Sequence, residues 1–371
     1  MAPTQVKAPR RRTAITAIAA GLLAVTLGLV ATRVFAPGTG TKTIRITTGS
    51  AVSSGKPVFT QLAAVITREG WLERELSKRG VRIEWVPIPG ASTGPSINEG
   101  FANHSIDFAS YGDLPSIIAN AAGIETELIV PSGRGSDCYL LVPSDSAVRS
   151  IRDLKGKRIA VHRGRPWELP LSRLIDSVGL SYDDFTISNL NPEAGAAALA
   201  ASKVDALFAI QGHALVERGV GKIIWSTAEA PPDWKMRAEL WASKDFVRQN
   251  PELTQVVATA YVRAAYWASR QENFDEFIKI SARTGVSESS VRKEYSARDF
   301  LLKDRWSPLF DEPVIEHYHR AIAYAVDKHI IQKPIEFANA HDTQFVTAAL
   351  KELDLVSYWQ PWTAGPTTRA E

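Results

Sequence analysis

One phrase is written twice in this chain, at residues 98–112 and again at 198–212. Each copy runs from the end of a helical pattern through a small polar turn into an apolar-Asp-apolar step, Ile106-Asp107-Phe108 in the first and Val204-Asp205-Ala206 in the second. Each then ends on a glycine-bearing loop that opens another helix. A strand fed by one helix and followed by the next is the unit of an α/β layer, so the repetition predicts two similar α/β lobes. Ligands of open α/β sheets settle at the carboxyl ends of the strands, where loops and helix starts converge. Two such lobes facing each other therefore define a cleft.

A chain of 371 residues has room for two cores, and a composition of 45% hydrophobic and 22% charged residues is that of a folded globular protein. The excess of basic over acidic residues, 43 against 40, is local. Lys7, Arg10, Arg11, Arg12 and Arg33 all lie in the first 36 residues, which hold no acid, and without these five, 38 basic residues face 40 acidic ones. That balance excludes a nucleic-acid footprint. Arg10 to Arg12 precede an uncharged run over residues 13–32, long for a signal-peptide core and long enough to span a bilayer. Residues 1–36 thus read as a signal peptide or an N-terminal membrane anchor, with everything after them exported. The two readings stay open. Val34-Phe35-Ala36 offers a cleavage site, but Pro37 follows it directly.

Cys138 is the only cysteine, so no intramolecular disulfide forms. It reads as a small buried hydrophobe beside Tyr139-Leu140-Leu141-Val142, with a thiolate nucleophile as the sharper alternative. The seven histidines are scattered, with no metal-ligand spacing among them.

Along the chain, residues 43–48 alternate as a first strand. Residues 49–57 read as a Gly/Ser loop opening a helix over 58–70, and further strands are predicted near 81–87, 126–130 and 138–142. The second lobe begins at 150–161 with a short helix, a basic turn and a strand. From Lys244 onward the pattern is helical, with starts near Lys244, Pro251, Asn273, Ser287 and Pro313. These helices are expected to pack back onto the first lobe. The chain would then cross between lobes twice, near 143–148 and 232–239, and a double crossover makes a hinge. The predicted organisation is residues 42–145 for the first part of lobe 1, 146–235 for lobe 2, 236–356 for the return strand and helices of lobe 1, and a frayed tail over 357–371.

With both lobes laid out, the chain resembles the solute-binding proteins of ABC importers in the aliphatic-sulfonate, taurine and nitrate group. The likeness is carried by Glu84-Trp85-Val86-Pro87-Ile88-Pro89-Gly90, by residues 105–115 and 151–160, by Lys203-Val204-Asp205-Ala206 and by Ala242-Ser243-Lys244-Asp245-Phe246. It covers roughly residues 44–353. The resemblance implies a type II periplasmic-binding-protein-like fold, in which two α/β lobes share a double-crossover hinge and a C-terminal helical region lies on lobe 1. It also implies a monomeric receptor in the periplasm or on the outer face of the cytoplasmic membrane, needing no cofactor. Such a receptor delivers a small anionic solute to the transmembrane subunits of an ABC permease. Two departures from the family pattern stand out. Arg165 occupies a place where small hydroxyl or amide residues are common, and Gln211 stands where relatives often carry an acid suited to a ligand amine.

A compact oxyanion needs hydrogen-bond donors from several sides, and helix N-termini supply them with a favourable dipole. The candidate ligand contacts are accordingly Ser50 and Ser53 ahead of the first helix, Ser110 and Gly112 ahead of the helix at Pro115, and Gly164 and Arg165 at the start of the helix after Pro166. Arg134 is expected as the opposing cation, Gln211 as a polar contact and Trp234 as cover for an organic tail. Two functions follow. The first is a non-catalytic receptor that closes around a sulfonate-like anion. The second is a carbon-sulfur bond-cleaving, desulfinase-like enzyme on the same scaffold with Cys138 as nucleophile.

Overall fold

The computed structural model describes residues 42–53, 56–89, 93–296 and 301–362. The expected signal or anchor at 1–36 lies outside them. Among the described residues no helix is long and apolar enough to cross a membrane.

Two sheets organise the chain. The first holds β1 (Lys42–Ser53), β2 (Lys56–Phe59), β3 (Val81–Pro89), β4 (Phe108–Gly112), β5 (Thr126–Val130) and a late strand, β11 (Ala238–Ser243). Its order is β2-β1-β4-β11-β5, with β3 beside β1. The second holds β6 (Tyr139–Val142), β7 (Arg158–Val161), β8 (Thr186–Asn189), β9 (Ala206–Ala209) and β10 (Lys222–Ser226) in the order β10-β6-β9-β7-β8. The returning strands β11 and β6 run antiparallel to their neighbours, whereas β1 with β4 and β7 with β8 and β9 are parallel.

The repeated phrase does the same structural work in each sheet. Its helix is α3 (Thr93–Ala102) in the first copy and α6 (Pro192–Ala200) in the second. Left-handed residues turn the chain, His104 at φ 57° and Ser202 at φ 54°. Each aspartate then clamps the adjoining parallel strand. Asp107 donates its backbone N–H to the Arg45 carbonyl (2.9 Å) and accepts from the Arg45 N–H (2.8 Å), and Asp205 does so with Arg158 (2.8 and 2.9 Å). A carboxylate at this step fixes the register of two parallel strands that a hairpin turn cannot hold.

Helices cover both sheets. α1 (Gln61–Glu69), α2 (Trp71–Lys78) and α4 (Asp113–Ala121) belong to the first, and α5 (Glu168–Ser177), α6 and α7 (Gly212–Glu217) to the second. After β11 come α8 (Lys244–Gln249), α9 (Pro251–Ser269), α10 (Phe274–Ala282), α11 (Glu288–Tyr295), α12 (Leu302–Arg305), α13 (Glu312–Asp327) and α14 (Gln344–Glu352). α9 fills one face of the first sheet, where Val257, Tyr261 and Ala265 pack on Ile46, Phe108 and Leu240. α13 fills the other, with Tyr318 against Trp241. The C-terminal helices thus lie on lobe 1, as expected from the sequence.

Four expectations are corrected. Residues 49–53 are not a loop, because β1 continues through them and pairs with β2, Ser50 opposite Phe59 and Ala51 opposite Val58. The helix expected from Val58 starts only at Gln61. The first crossing lies at 131–138 rather than 143–148, because β6 is built into the second sheet between β9 and β10. The tail is not frayed at Trp359. That indole is 2% exposed within the lobe 1 core and donates from Nε1 to the Lys303 carbonyl (2.9 Å).

Candidate functional site

The carboxyl end of β4 and the loop after β7 meet. A Cβ added at Gly112, the residue that opens α4, would overlap the Pro166 ring at the start of α5, so the absent side chain is what lets the two lobes approach here. Beside it, the Arg165 guanidinium lies against Gly94 at the first turn of α3. Arg165 is buried, and burial pushes its pKa below the ordinary value. The two segments singled out in the sequence, 110–112 and 164–166, are therefore neighbours.

Their donors are partly committed already. The Gly164 N–H donates to Glu168 Oε2 (2.5 Å), and Glu168 Oε1 also accepts from Arg163 Nε (2.8 Å). This buried carboxylate occupies the start of α5, so Gly164 is not the open amide expected of it. At α4, Asp113 accepts the Leu114 N–H (2.6 Å) and contacts His317 Nε2 (2.6 Å). Ser110 shares a hydrogen bond with the Tyr261 hydroxyl of α9 (3.0 Å). Ser50 donates to the Ile88 carbonyl (3.3 Å) within the first sheet, and the side chain of Ser53 lies outside the described residues. Because residues 49–53 are strand, neither serine precedes a helix start.

The crossings supply a second, better-formed site. The segments 131–138 and 227–237 are tied by reciprocal backbone hydrogen bonds between Ser136 and Met236 (2.9 and 3.1 Å) and by the buried ion pair Asp137 with Lys235. Arg237 Nε binds Glu239 (2.5 Å) and its Nη2 donates to the Gly133 carbonyl (2.7 Å). Gly133 itself sits at φ 89°, where a Cβ would strike the Arg305 carbonyl. Arg134 is sealed against Asp311, both side chains almost wholly buried. Its charge is therefore neutralised within the protein, a correction to its expected role as the opposing cation.

Against this ribbon lies a small recess lined by Gln61, Ser132, Ser136, Glu239, Tyr295 and Arg305 among others. Glu239 is neutralised by Arg237 and accepts the Ser132 N–H. Arg305 is different. It is 7% exposed, its guanidinium stands 4.8 Å over the Tyr295 ring, and no carboxylate among the described residues pairs with it. A buried cation facing a cavity with hydroxyl and amide groups has the chemistry to hold one small oxyanion. Arg305 and Gln61 carried no signal in the sequence. They converge only because α1 begins and α12 ends at the crossing.

The remaining candidates lie apart. Gln211 is an exposed left-handed residue (φ 56°) ahead of α7. Trp234 is half-buried beside Trp225, ring centroids 6.4 Å apart, at the edge of the lobe 2 core. Cys138 is 0% exposed, and burial together with Asp137 pushes its thiol well above the ordinary range, the opposite of an activated nucleophile. Alkylation of Cys138 by N-ethylmaleimide should be slow in the native protein and fast only after denaturation. Rapid native labelling would return it to the candidates.

Comparison with known proteins agrees with this architecture. The family described as NMT1/THI5 like matches residues 78–272. A solved structure from Methylobacillus flagellatus KT, whose name assigns it to sulfonate ABC transport as a periplasmic sulfonate-binding SsuA, superposes with a TM-score of 0.80 at 44% identity, covering 88% of this chain and 98% of that one. A Bacillus subtilis (strain 168) protein named for aliphatic-sulfonate binding is 26% identical over 78% of this chain and 84% of its own length. The alkanesulfonate-binding SsuA of Xanthomonas axonopodis pv. citri, solved bound to MOPS, shares the fold at a TM-score of 0.64 and 24% identity, over 81% of this chain and 98% of that one.

Proposed function

The chain belongs to the NMT1/THI5-like family, among the solute-binding proteins of ABC importers, and from that premise we propose that it captures a small organic oxyanion of the sulfonate class outside the cytoplasmic membrane and delivers it to an ABC permease. The observation that carries the ligand's charge is Arg305. An unpaired buried cation is costly, several kcal/mol by transfer arguments, and an anionic guest in the adjoining cavity removes that cost. Ser132 and Ser136 also line the recess, and their hydroxyls are of the chemistry that would complete an oxyanion's coordination. Sulfonate as the headgroup follows from what the relatives' names say of them.

Closure belongs to the same proposal. The recess lies against the crossings that join the lobes, and a guest that binds the form in which Gly112 touches Pro166 better than a separated form shifts the population toward contact. Capture rather than catalysis is supported by the buried, unactivated Cys138.

Calorimetry on the full chain in an uncharged detergent, with methanesulfonate, butanesulfonate, taurine, nitrate and sulfate as titrants, tests the ligand class. Arg305→Ala should weaken binding of the best titrant by about 1.5 to 3 kcal/mol, the range for a charge-assisted hydrogen bond. Unchanged affinity removes Arg305 from the site, and no binding by any sulfonate sinks the ligand class. Gly112→Val should fold normally, because Gly112 has φ −71°, yet bind at least about tenfold more weakly, since the new side chain holds the lobes apart. Wild-type affinity in that variant would show that lobe contact is not part of binding.

A further inference from the structure

The lobes also touch far from Gly112. α11 belongs to lobe 1, where Val291 joins the core and Tyr295 packs on Phe277 (4.9 Å), but its outer face rests on α7 and β6 of lobe 2. Ser287 and Ser290 donate to Glu217 (2.6 and 2.5 Å). One turn on, Glu294 accepts the Tyr139 hydroxyl at Oε2 (2.5 Å) and faces the His213 backbone N–H at Oε1 (3.4 Å). A carboxylate is thus carried by one lobe and buried by the other.

We infer that Glu294 is a proton-linked clasp: lobe contact buries its carboxyl, so closing around the anion takes up a proton. The inference rests on the receptor reading above for its ligand, but the clasp itself rests on the α11 contacts. Burial in the joined state pushes Glu294 up to about 7 from an ordinary value of 4.5, with Tyr139, the His213 N–H and Arg305 opposing and Asp137 adding to the rise. Lobe separation would return the group to water and to its ordinary range. The sign is then set. The joined form holds more protons than the separated one between about pH 4.5 and 7, so its advantage is complete below that window and is lost as pH rises through about 7. The anion acts in the same direction. Arg305 draws Glu294 toward ionisation, and an anion on Arg305 cancels that pull.

The other charged or titratable groups around the clasp are Glu217 on α7, Lys293 and Tyr295 on α11 itself and the His213 ring. Glu217 is held below its ordinary value by Ser287 and Ser290, and burial and Lys293 lower His213. Glu294→Gln leaves all of these in place while fixing the protonated shape.

The experiment uses the full chain in uncharged detergent with methanesulfonate as probe, at pH 5.5 and 8.0. Wild type should bind about tenfold more tightly at pH 5.5, and Glu294→Gln should lose that preference for acid, leaving only the opposite-signed contribution of His213. Calorimetry in buffers of different ionisation enthalpy should show net proton uptake on binding at pH 6.5 by wild type, a readout that needs no variant. Equal wild-type affinities, zero proton uptake, or a preference for acid that survives in Glu294→Gln each overturn the inference. If methanesulfonate does not bind, the clasp is read without ligand, from the distance between spin labels at Lys203→Cys and Glu252→Cys. A distance that changes with pH in wild type and not with Glu294→Gln sustains the clasp while the receptor reading fails. A distance that ignores pH overturns the clasp.

Discussion

Replacing Trp359 by alanine should cost about 3 to 5 kcal/mol of stability, the range for deleting a large core aromatic. The indole is buried among the lobe 1 helices, meets Tyr358 (4.8 Å) and Tyr266 (6.5 Å) edge-on and donates to the Lys303 carbonyl. Lys303 lies in α12, the short helix that ends at Arg305. The substitution should therefore loosen the anion site as well as the fold, and sulfonate affinity should fall with stability. Trp359→Phe separates the two contributions. It keeps much of the packed area and loses the hydrogen bond, with an expected cost of about 1 to 2 kcal/mol. Guanidinium midpoints and calorimetry measure both, and a tail that tolerates alanine here would mean that Trp359 is not core.

Arg134→Ala should be nearly as damaging, about 3 to 5 kcal/mol, because it leaves the Asp311 carboxylate buried without its cation. Asp311 also accepts the Trp362 N–H (3.0 Å), so the pair anchors the chain's last described residues to the first crossing. One Asp311 oxygen and Arg134 Nε make no hydrogen bond, which marks the pair as imperfectly satisfied. The double variant Arg134→Met with Asp311→Leu should then recover most of the loss, since a buried ion pair often exchanges for apolar residues at little net cost. The measurement also separates two roles. A cation that served the ligand would lose affinity and keep stability when replaced, and a structural one loses stability first.

The contrast between Arg134 and Arg305 shows where sequence reading stopped. Arg134 stood between two glycines in a loop and looked free, whereas Arg305 sat in an unremarkable Lys303-Asp304-Arg305 stretch. Charge neutralisation reversed their standing. Asp311, far along the chain, reached Arg134, and no carboxylate among the described residues pairs with Arg305. Gly164 departs from expectation for the same reason, since Glu168 lies only one helical turn away and its carboxylate folds back onto the loop amide. Gly112 and Arg165 are expected as ligand contacts from their place at helix starts, and the structure brings those starts together by direct contact between lobes.

Local information determined the two α/β lobes, the helical C-terminal third and the return strand, because hydrophobic period, glycine turns and the doubled aspartate step act between neighbours in the chain. Asp107 and Asp205 are the clearest case: each is written beside the strand it begins and clamps the strand next to it. Tertiary structure alone decided which sheet takes β6, that Trp359 is core, and which arginine faces the cavity. Those outcomes depend on pairing and burial between residues far apart in sequence, where one distant carboxylate or one missing Cβ outweighs every local preference.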